Sequence, residues 1–344
     1  MRIATIDVGT NTAQLLVADV DVPDRSGVTS DILPPAITRI HVAERFVRLG
    51  EGVDATGQIG EPALLRLRDA LLDHRDTARD LNADRFVVCA TSASRDAANR
   101  EAVIRFVREE TGLPYETLSG VEEATWSFAA ACDPFDDLHG ACLVVDVGGG
   151  STELVAGTNP SGHAPHAERA IDNRVSLNIG CIRLTERYFT SHPPAPGAIR
   201  QVQEAVRSAL HQASPNDASI DASETDGTPP VMIGTAGTAS ALALVDAGPS
   251  STIDPLDGDA RTLSAERVRH WREETMCRSV DEILDLHPRA MEHRAAVFPV
   301  GVMILDEVLR QTGADWLRVS PYELRHGLLL RHLAGGRASL PKAP

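Results

Sequence analysis

Residues 4–16 read ATIDVGTNTAQLL, and a matching pattern returns at residues 143–155 as LVVDVGGGSTELV. At an offset of 139 residues both segments run from a largely apolar lead through Asp-Val-Gly and small polar residues to Leu and an aliphatic neighbour. Each reads as an apolar strand, a tight glycine turn and a second strand, which is a β-hairpin. A hairpin that recurs within one chain predicts a duplicated fold, with two copies of one unit. Each apolar strand face must be covered by another layer, and the intervening sequence alternates strand and helix patterns, so an α/β fold is expected.

The coarse reading places helices at 61–81, 95–111, 121–133, 196–213, 264–276, 279–286, 292–312 and about 321–333, with an amphipathic segment at 182–190. Short strands are predicted at 85–92, 115–120 and 316–319, and 231–245 reads as strand, glycine turn and helix. Residues 214–230 carry almost no apolar side chains and are expected to form a mobile surface loop, and the tail after Gly335 is expected to fray. Trp126, Trp271 and Trp316 are expected in core or interface positions, and most of the twelve histidines in solvent.

Composition narrows the class. The net charge of −16 argues against broad nucleic-acid binding. No run of 18 apolar residues is present, so no membrane helix is expected, and Asp7 falls where a signal peptide needs its apolar core. Five scattered cysteines form no C-x-x-C pair, which argues against a disulfide framework or zinc site and fits a reducing cytoplasm. Of the 33 basic residues only Lys342 is lysine. A G+C-rich coding bias explains that, and adaptation to high salt is the alternative.

Three small-residue turns carry the chemistry. Asp7-Val8-Gly9-Thr10-Asn11-Thr12 and Asp146-Val147-Gly148-Gly149-Gly150-Ser151 occupy the two hairpin turns, and Gly234-Thr235-Ala236-Gly237-Thr238 joins a strand to a helix. Free N–H groups in such turns cradle phosphate oxygens, and strand-end aspartates can hold a hard divalent cation.

Those motifs, with RLGEG (48–52), ATSASRDAAN (90–99), LSGVEEA (118–124), IGCIRLTE (179–186) and SPYELRHGLLL (320–330), resemble the exopolyphosphatase/guanosine pentaphosphate phosphohydrolase family of the actin-like ATPase superfamily. The resemblance spans roughly residues 2–332. It implies two actin-like, ribonuclease H-like domains flanking a cleft: residues 1–122 plus about 322–344, and residues 123–321. The chain is expected to lack the C-terminal HD-type domain of the larger members.

The resemblance makes Glu123 the general base and Arg95 a bidentate phosphate clamp. It assigns phosphate binding to Gly9, Thr10, Asn11, Thr12, Ser92, Gly148, Gly149, Gly150, Ser151, Thr235 and Gly237. Asp146, with Glu153 and Asp7, would hold Mg²⁺ or Mn²⁺. The implied activity is release of terminal orthophosphate from inorganic polyphosphate. The alternatives are 5′-phosphate removal from guanosine pentaphosphate and a non-hydrolytic nucleotide sensor. A cytoplasmic enzyme is expected, with a homodimer as its candidate assembly and neither nucleic acid nor membrane as partner. Arg45, Arg48, Arg95, Arg183, Arg267 and Arg325 are candidates to line a groove for the polyanion. The sequence departs from the family pattern in two places: Arg294 is separated from Pro299 and Gly301, which are not adjacent, and His326 stands where an acidic residue is common.

Overall fold

A computed structural model of the chain describes residues 1–21, 36–135, 138, 140–159, 170–213, 229–252 and 261–334. The first sheet is built from β1 (Arg2–Val8), β2 (Thr12–Asp21), β3 (Ala36–Phe46), β4 (Arg85–Ala90) and β5 (Glu116–Thr117), in the order β3-β2-β1-β4-β5. The second uses β6 (Gly140–Val147), β7 (Thr152–Asn159), β8 (Ala170–Leu177), β9 (Val231–Thr235), β10 (Arg261–Ser264) and β11 (Trp316–Val319), in the order β10-β11-β9-β6-β7-β8.

The repeat in the sequence is a repeat in space. β1 pairs antiparallel with β2, setting Asp7 opposite Gln14, and β6 pairs with β7, setting Asp146 opposite Glu153. Both hairpin turns close with the same bond, at the same length of 2.9 Å: Gly9 N–H to the Thr12 carbonyl, and Gly148 N–H to that of Ser151. In each sheet a third antiparallel strand follows, and a parallel strand (β4 or β9) flanks the other side of the first.

Side-chain alternation then decides what each face meets. Ala4, Ile6 and Val8 point into a core shared with Leu67, Leu71, Val103 and Val107 of the helices Glu61–Asp80 and Arg100–Thr111. Ile3 faces the other way, against Leu324, Leu328 and Leu329 of the helix Leu324–Ala334. Thr5 donates to the Arg325 carbonyl at 2.7 Å, and Asp7 continues that face. The second sheet repeats the scheme. Leu143, Val145 and Val147 join the large core with the helices Pro196–Ala213, Ala236–Ala247 and Phe298–Thr312. Cys142 and Val144, and with them Asp146, face Ala124, Phe128 and Ala131 of the helix Gly120–Ala131.

Several sequence expectations are corrected. The helix expected at 95–111 is two, Ser92–Asp96 and Arg100–Thr111. Asn99 splits them, because its amide exchanges two hydrogen bonds with the Ile59 backbone at 2.9 and 3.0 Å. The helix expected from 292 begins only at Phe298, with Pro299 in its first turn. The strand expected at 115–120 shrinks to Glu116–Thr117. β3, β8 and β10 were not anticipated; all three are edge strands without a continuous apolar signature. Trp316 is 58% exposed, and His74, His287 and His326 are buried. Residues 214–228 and the tail from Gly335 lie outside the described residues.

The two inner-face helices pack against each other, and Gly327 makes that contact possible. A Cβ at this position would lie 2.6 Å from the Trp126 carbonyl carbon, which belongs to helix backbone and cannot swing aside. Gly327→Ala is expected to cost about 1–3 kcal/mol or more through forced separation of the helices. Urea unfolding of the variant beside wild type checks it.

Candidate active site

The ends of β1 and β6, the two hairpin turns and the starts of the two inner-face helices converge on one cleft. It is lined by Asp7, the Gly9–Thr12 turn, Gln14, Thr91, Ser92, Glu123, Asp146, the turn at Gly148 and Gly149, and Ser151. Ala236, Gly237, Thr238, Arg294 and Glu323 also line it.

The hairpin turns present backbone N–H groups. Those of Thr10, Asn11, Gly149 and Gly150 make no hydrogen bond to any described residue. The second turn is propped from behind by the N-terminus of the helix Cys181–Tyr188. There the N–H groups of Cys181, Ile182 and Arg183 bond the carbonyls of Gly148 and Gly149 at 2.9–3.0 Å. With the carbonyls held this way, the N–H groups are left for an anion. Close approach at this junction requires Gly180, where a Cβ would lie 2.6 Å from the Gly150 carbonyl carbon. Thr10 and Ser92 hydroxyls meet at 2.9 Å across the cleft floor.

Acidic side chains crowd this space. Ser119 caps the helix Gly120–Ala131 in a reciprocal box with Glu122, so Glu122 is spent on the cap and Glu123 turns inward, 6% exposed. Arg95 Nη1 donates to Glu123 Oε2 at 2.7 Å. Burial raises the Glu123 carboxyl, and Arg95 partly offsets the rise. Burial, reinforced by Glu123 and then Glu323, pushes Asp146 up to about 7, and Ser127 donates to it at 3.3 Å. Asp7 is held well above the carboxylate range by burial and by Glu123, Asp146 and Glu323, and its Oδ1 has no hydrogen-bond partner.

Not every expected residue reaches the cleft surface. Glu153 is buried behind Asp146, accepting from Ser176 at 2.6 Å. Thr235 spends its hydroxyl on the Tyr322 carbonyl at 2.6 Å. Gly150 borders an adjoining recess with Thr10, Asp54 and Arg183. The arginines expected in a groove are scattered. Arg45 bonds Asp73 at 2.7 Å, and Arg267 bonds Asp246 on the outer side of the second sheet's helices. Arg325 is buried beside Glu323 at 3.8 Å, and Arg48 approaches His293 at 3.4 Å. Both departures from the family pattern resolve locally. Gly301 seats Thr238 against the helix, since a Cβ there would meet its Cγ2 at 2.6 Å. His326 Nδ1 accepts the Glu323 N–H at 3.1 Å, which fixes the ring against the turn that carries Glu323.

Among the cleft residues outside the sequence assignment are Gln14, Glu323 and Arg294. Gln14 carried a signal, because the 139-residue offset makes it the partner of Glu153. Glu323 lay inside a quoted motif, 6% exposed, its Oε2 without a hydrogen bond and 3.8 Å from Arg325 Nη2. Arg294 crosses from the second sheet's side to bond Glu44 of β3 at 2.8 Å.

In the metal-free protein, the elevated Asp146 carboxyl has a stability consequence. Its folded value of about 7 exceeds its ordinary 3.8, so the folded state binds more protons between these pH values and stability falls as pH rises through that window. Asp146→Asn is therefore expected to raise stability at pH 8 by on the order of 2–4 kcal/mol and to change little at pH 4. Calorimetric melting at both pH values, with metal chelated, checks the sign.

The sequence matches the Ppx/GppA phosphatase family over residues 28–335. It is 31% identical to Exopolyphosphatase 2 of Mycobacterium tuberculosis, across 97% of this chain and 99% of that protein. It is 27% identical to Exopolyphosphatase 1 of Mycobacterium leprae, across 97% and 90%. Among solved structures, an exopolyphosphatase from Cytophaga hutchinsonii superposes with a TM-score of 0.80 at 25% identity, covering 97% of this chain and 98% of that one. The Aquifex aeolicus Ppx/GppA family member superposes with a TM-score of 0.73 at 24% identity, covering 98% and 99%.

Proposed function

The chain belongs to the Ppx/GppA phosphatase family, and we propose that it acts as an exopolyphosphatase releasing terminal orthophosphate from inorganic polyphosphate. The observation that carries this reading is one buried carboxylate, Glu123, paired at 2.7 Å with one guanidinium, Arg95, between two turns with free N–H groups. On this reading the two lobes are those the resemblance implies, residues 1–122 with the segment from about 322, and residues 123–321.

The terminal phosphoryl group binds between the turns, its oxygens taking the N–H groups of Thr10, Asn11 and Gly149. Arg95 keeps one N–H on Glu123 and turns the rest of its fork to the phosphoryl oxygens. Glu123 accepts a proton from a water in line with the scissile bond. The water oxygen bonds phosphorus, the bridging P–O bond breaks, and orthophosphate and the shortened chain leave.

A divalent cation fits the carboxylates present. Asp7 Oδ1 is buried without a partner, and Asp146 makes only a long bond to Ser127. Among the described residues no three His, Cys, Asp or Glu side chains converge closely enough to chelate an ion. One or two carboxylates completed by water and phosphate oxygens is the habit of Mg²⁺, so Asp146 and Asp7 would hold it. When bound, it neutralises charge on the phosphoryl oxygens.

Short polyphosphates are the favoured length, because Arg294 in the cleft and Arg95, held beside the cleft on Glu123, are both bonded to carboxylates and offer a long polyanion little free charge. Phosphate release from polyphosphates of graded length, beside guanosine pentaphosphate and ATP, tests the reading. Faster turnover of guanosine pentaphosphate would transfer it to the nucleotide.

Glu123→Gln is expected to keep KM and lose about 10²–10⁴-fold in kcat, because it removes only the proton acceptor. Near-wild-type turnover in the folded variant would remove Glu123 from the role. Arg95→Lys is expected to cost about 1–3 kcal/mol in kcat/KM, since lysine keeps the charge but loses the fork. Steady-state kinetics at two salt concentrations separates a lost fork from lost long-range potential.

A further inference from the structure

Arg183 was expected to face a polyanion, but all three nitrogens of its guanidinium make hydrogen bonds elsewhere. Nε donates to the Gly150 carbonyl at 2.7 Å, Nη1 to Asp54 at 3.2 Å and Nη2 to Asp96 at 2.7 Å. The first acceptor lies in the glycine turn of the second sheet. The other two belong to the lobe of the first, in the helices Val53–Thr56 and Ser92–Asp96. The Asp96 carboxylate also stands 3.7 Å from Arg95 Nε, and Arg95 in turn holds Glu123.

One continuous set of contacts therefore runs from the phosphate turn through Arg183 to Asp96, Arg95 and the base, crossing between the lobes twice. Arg187, one turn along the same helix, bonds Asp54 at 2.9 and 2.5 Å and keeps that carboxyl below its ordinary range. Two arginines and two aspartates thus balance in charge, with the Arg183, Asp54 and Asp96 side chains largely shielded from solvent. Net charge left over for a substrate is small, whereas the geometric constraint on the Gly150 carbonyl is large. A carbonyl fixed outward leaves the neighbouring N–H groups fixed inward, toward the cleft.

We propose that Arg183 is a positioning residue, which locks the glycine turn of one lobe to Asp54 and Asp96 of the other and so presets the phosphate-binding N–H groups against the Arg95–Glu123 pair. The proposal rests on the reading of the cleft as a phosphoryl site. It touches no substrate atom and acts through the turn and through Asp96. Its energetic form is a coupling between lobes, so partners in the lock should fail together.

The test uses the full chain with Arg183→Gln, Arg183→Lys, Asp96→Asn and the Arg183→Gln/Asp96→Asn double variant. Hydrogen–deuterium exchange is followed over residues 146–152 and 180–183, with and without inorganic phosphate, and kcat and KM are measured on tripolyphosphate. Faster exchange over the turn is expected in Arg183→Gln, together with a loss of about 10–100-fold in kcat/KM, the scale of a small misplacement of reacting groups. Arg183→Lys, which can reach only part of the acceptor set, should recover a fraction of both. The double variant should lose little more than the worse single one.

Unchanged exchange and kinetics in Arg183→Gln would overturn the proposal. So would unchanged exchange with a KM rising as polyphosphate lengthens, which is the behaviour of direct substrate contact. If Arg183→Gln fails to fold, Asp96→Asn reads the same lock from the opposite lobe, and its exchange must accelerate over residues 146–152. The exchange readout needs no assumption about the substrate, so inactivity of wild type on polyphosphate would count against the proposed function alone.

Discussion

The contact between the helices Gly120–Ala131 and Leu324–Ala334 sets the position of everything else in the cleft. Each helix covers the inner face of one sheet, and alternation along β1 and β6 brings Asp7 and Asp146 out on those same faces. Gly327 lets the Trp126 backbone come close, and the two strand ends are thereby turned toward one another. Glu123 and Ser127 arrive on one helix, and Glu323 and Arg325 stand at the start of the other. A wider helix crossing would move Asp7 and its turn away from Asp146, Glu123 and theirs, because each helix is packed on its own sheet.

The cleft is acidic in side chains and yet built to receive an anion. Asp7, Glu123, Asp146 and Glu323 gather there, with Glu153 just behind, and burial with mutual repulsion raises Asp7, Glu123, Asp146 and Glu153 above their ordinary range. This crowding costs stability in the metal-free protein and is the kind of local conflict that marks functional sites. Under the proposed function, backbone N–H dipoles in the two turns would supply most of the attraction for phosphate, since Arg95, Arg183 and Arg294 are each already bonded to a carboxylate. Dipoles fixed in turns do not need to be freed from a partner, and they suit a chain carrying a net charge of −16.

Arg183 illustrates how the same residue type serves different ends according to its neighbours. In the sequence it was one arginine among 32, and a polyanion was its natural partner. In the fold a backbone carbonyl and two aspartates from the opposite lobe engage each of its three nitrogens, so its charge is neutralised while its planar fork sets geometry.

The sequence by itself determined the duplication, the α/β class and the two phosphate turns, because a hairpin repeated at a fixed offset and closed by small residues leaves few other folds. The choice of Glu123 over Glu122 came from the family resemblance, and the structure supplies its physical reason: the Ser119 box spends Glu122 on the cap and leaves Glu123 turned inward. Edge strands β3, β8 and β10 stayed illegible, because half-exposed strands need no continuous apolar pattern. Only the tertiary structure decided that Glu323 enters the cleft, that Glu153 withdraws behind Asp146, and that Arg267 lies outside while Arg294 lies within. Those outcomes depend on helix crossing and lobe contact between residues as many as 250 positions apart, which no local spacing encodes.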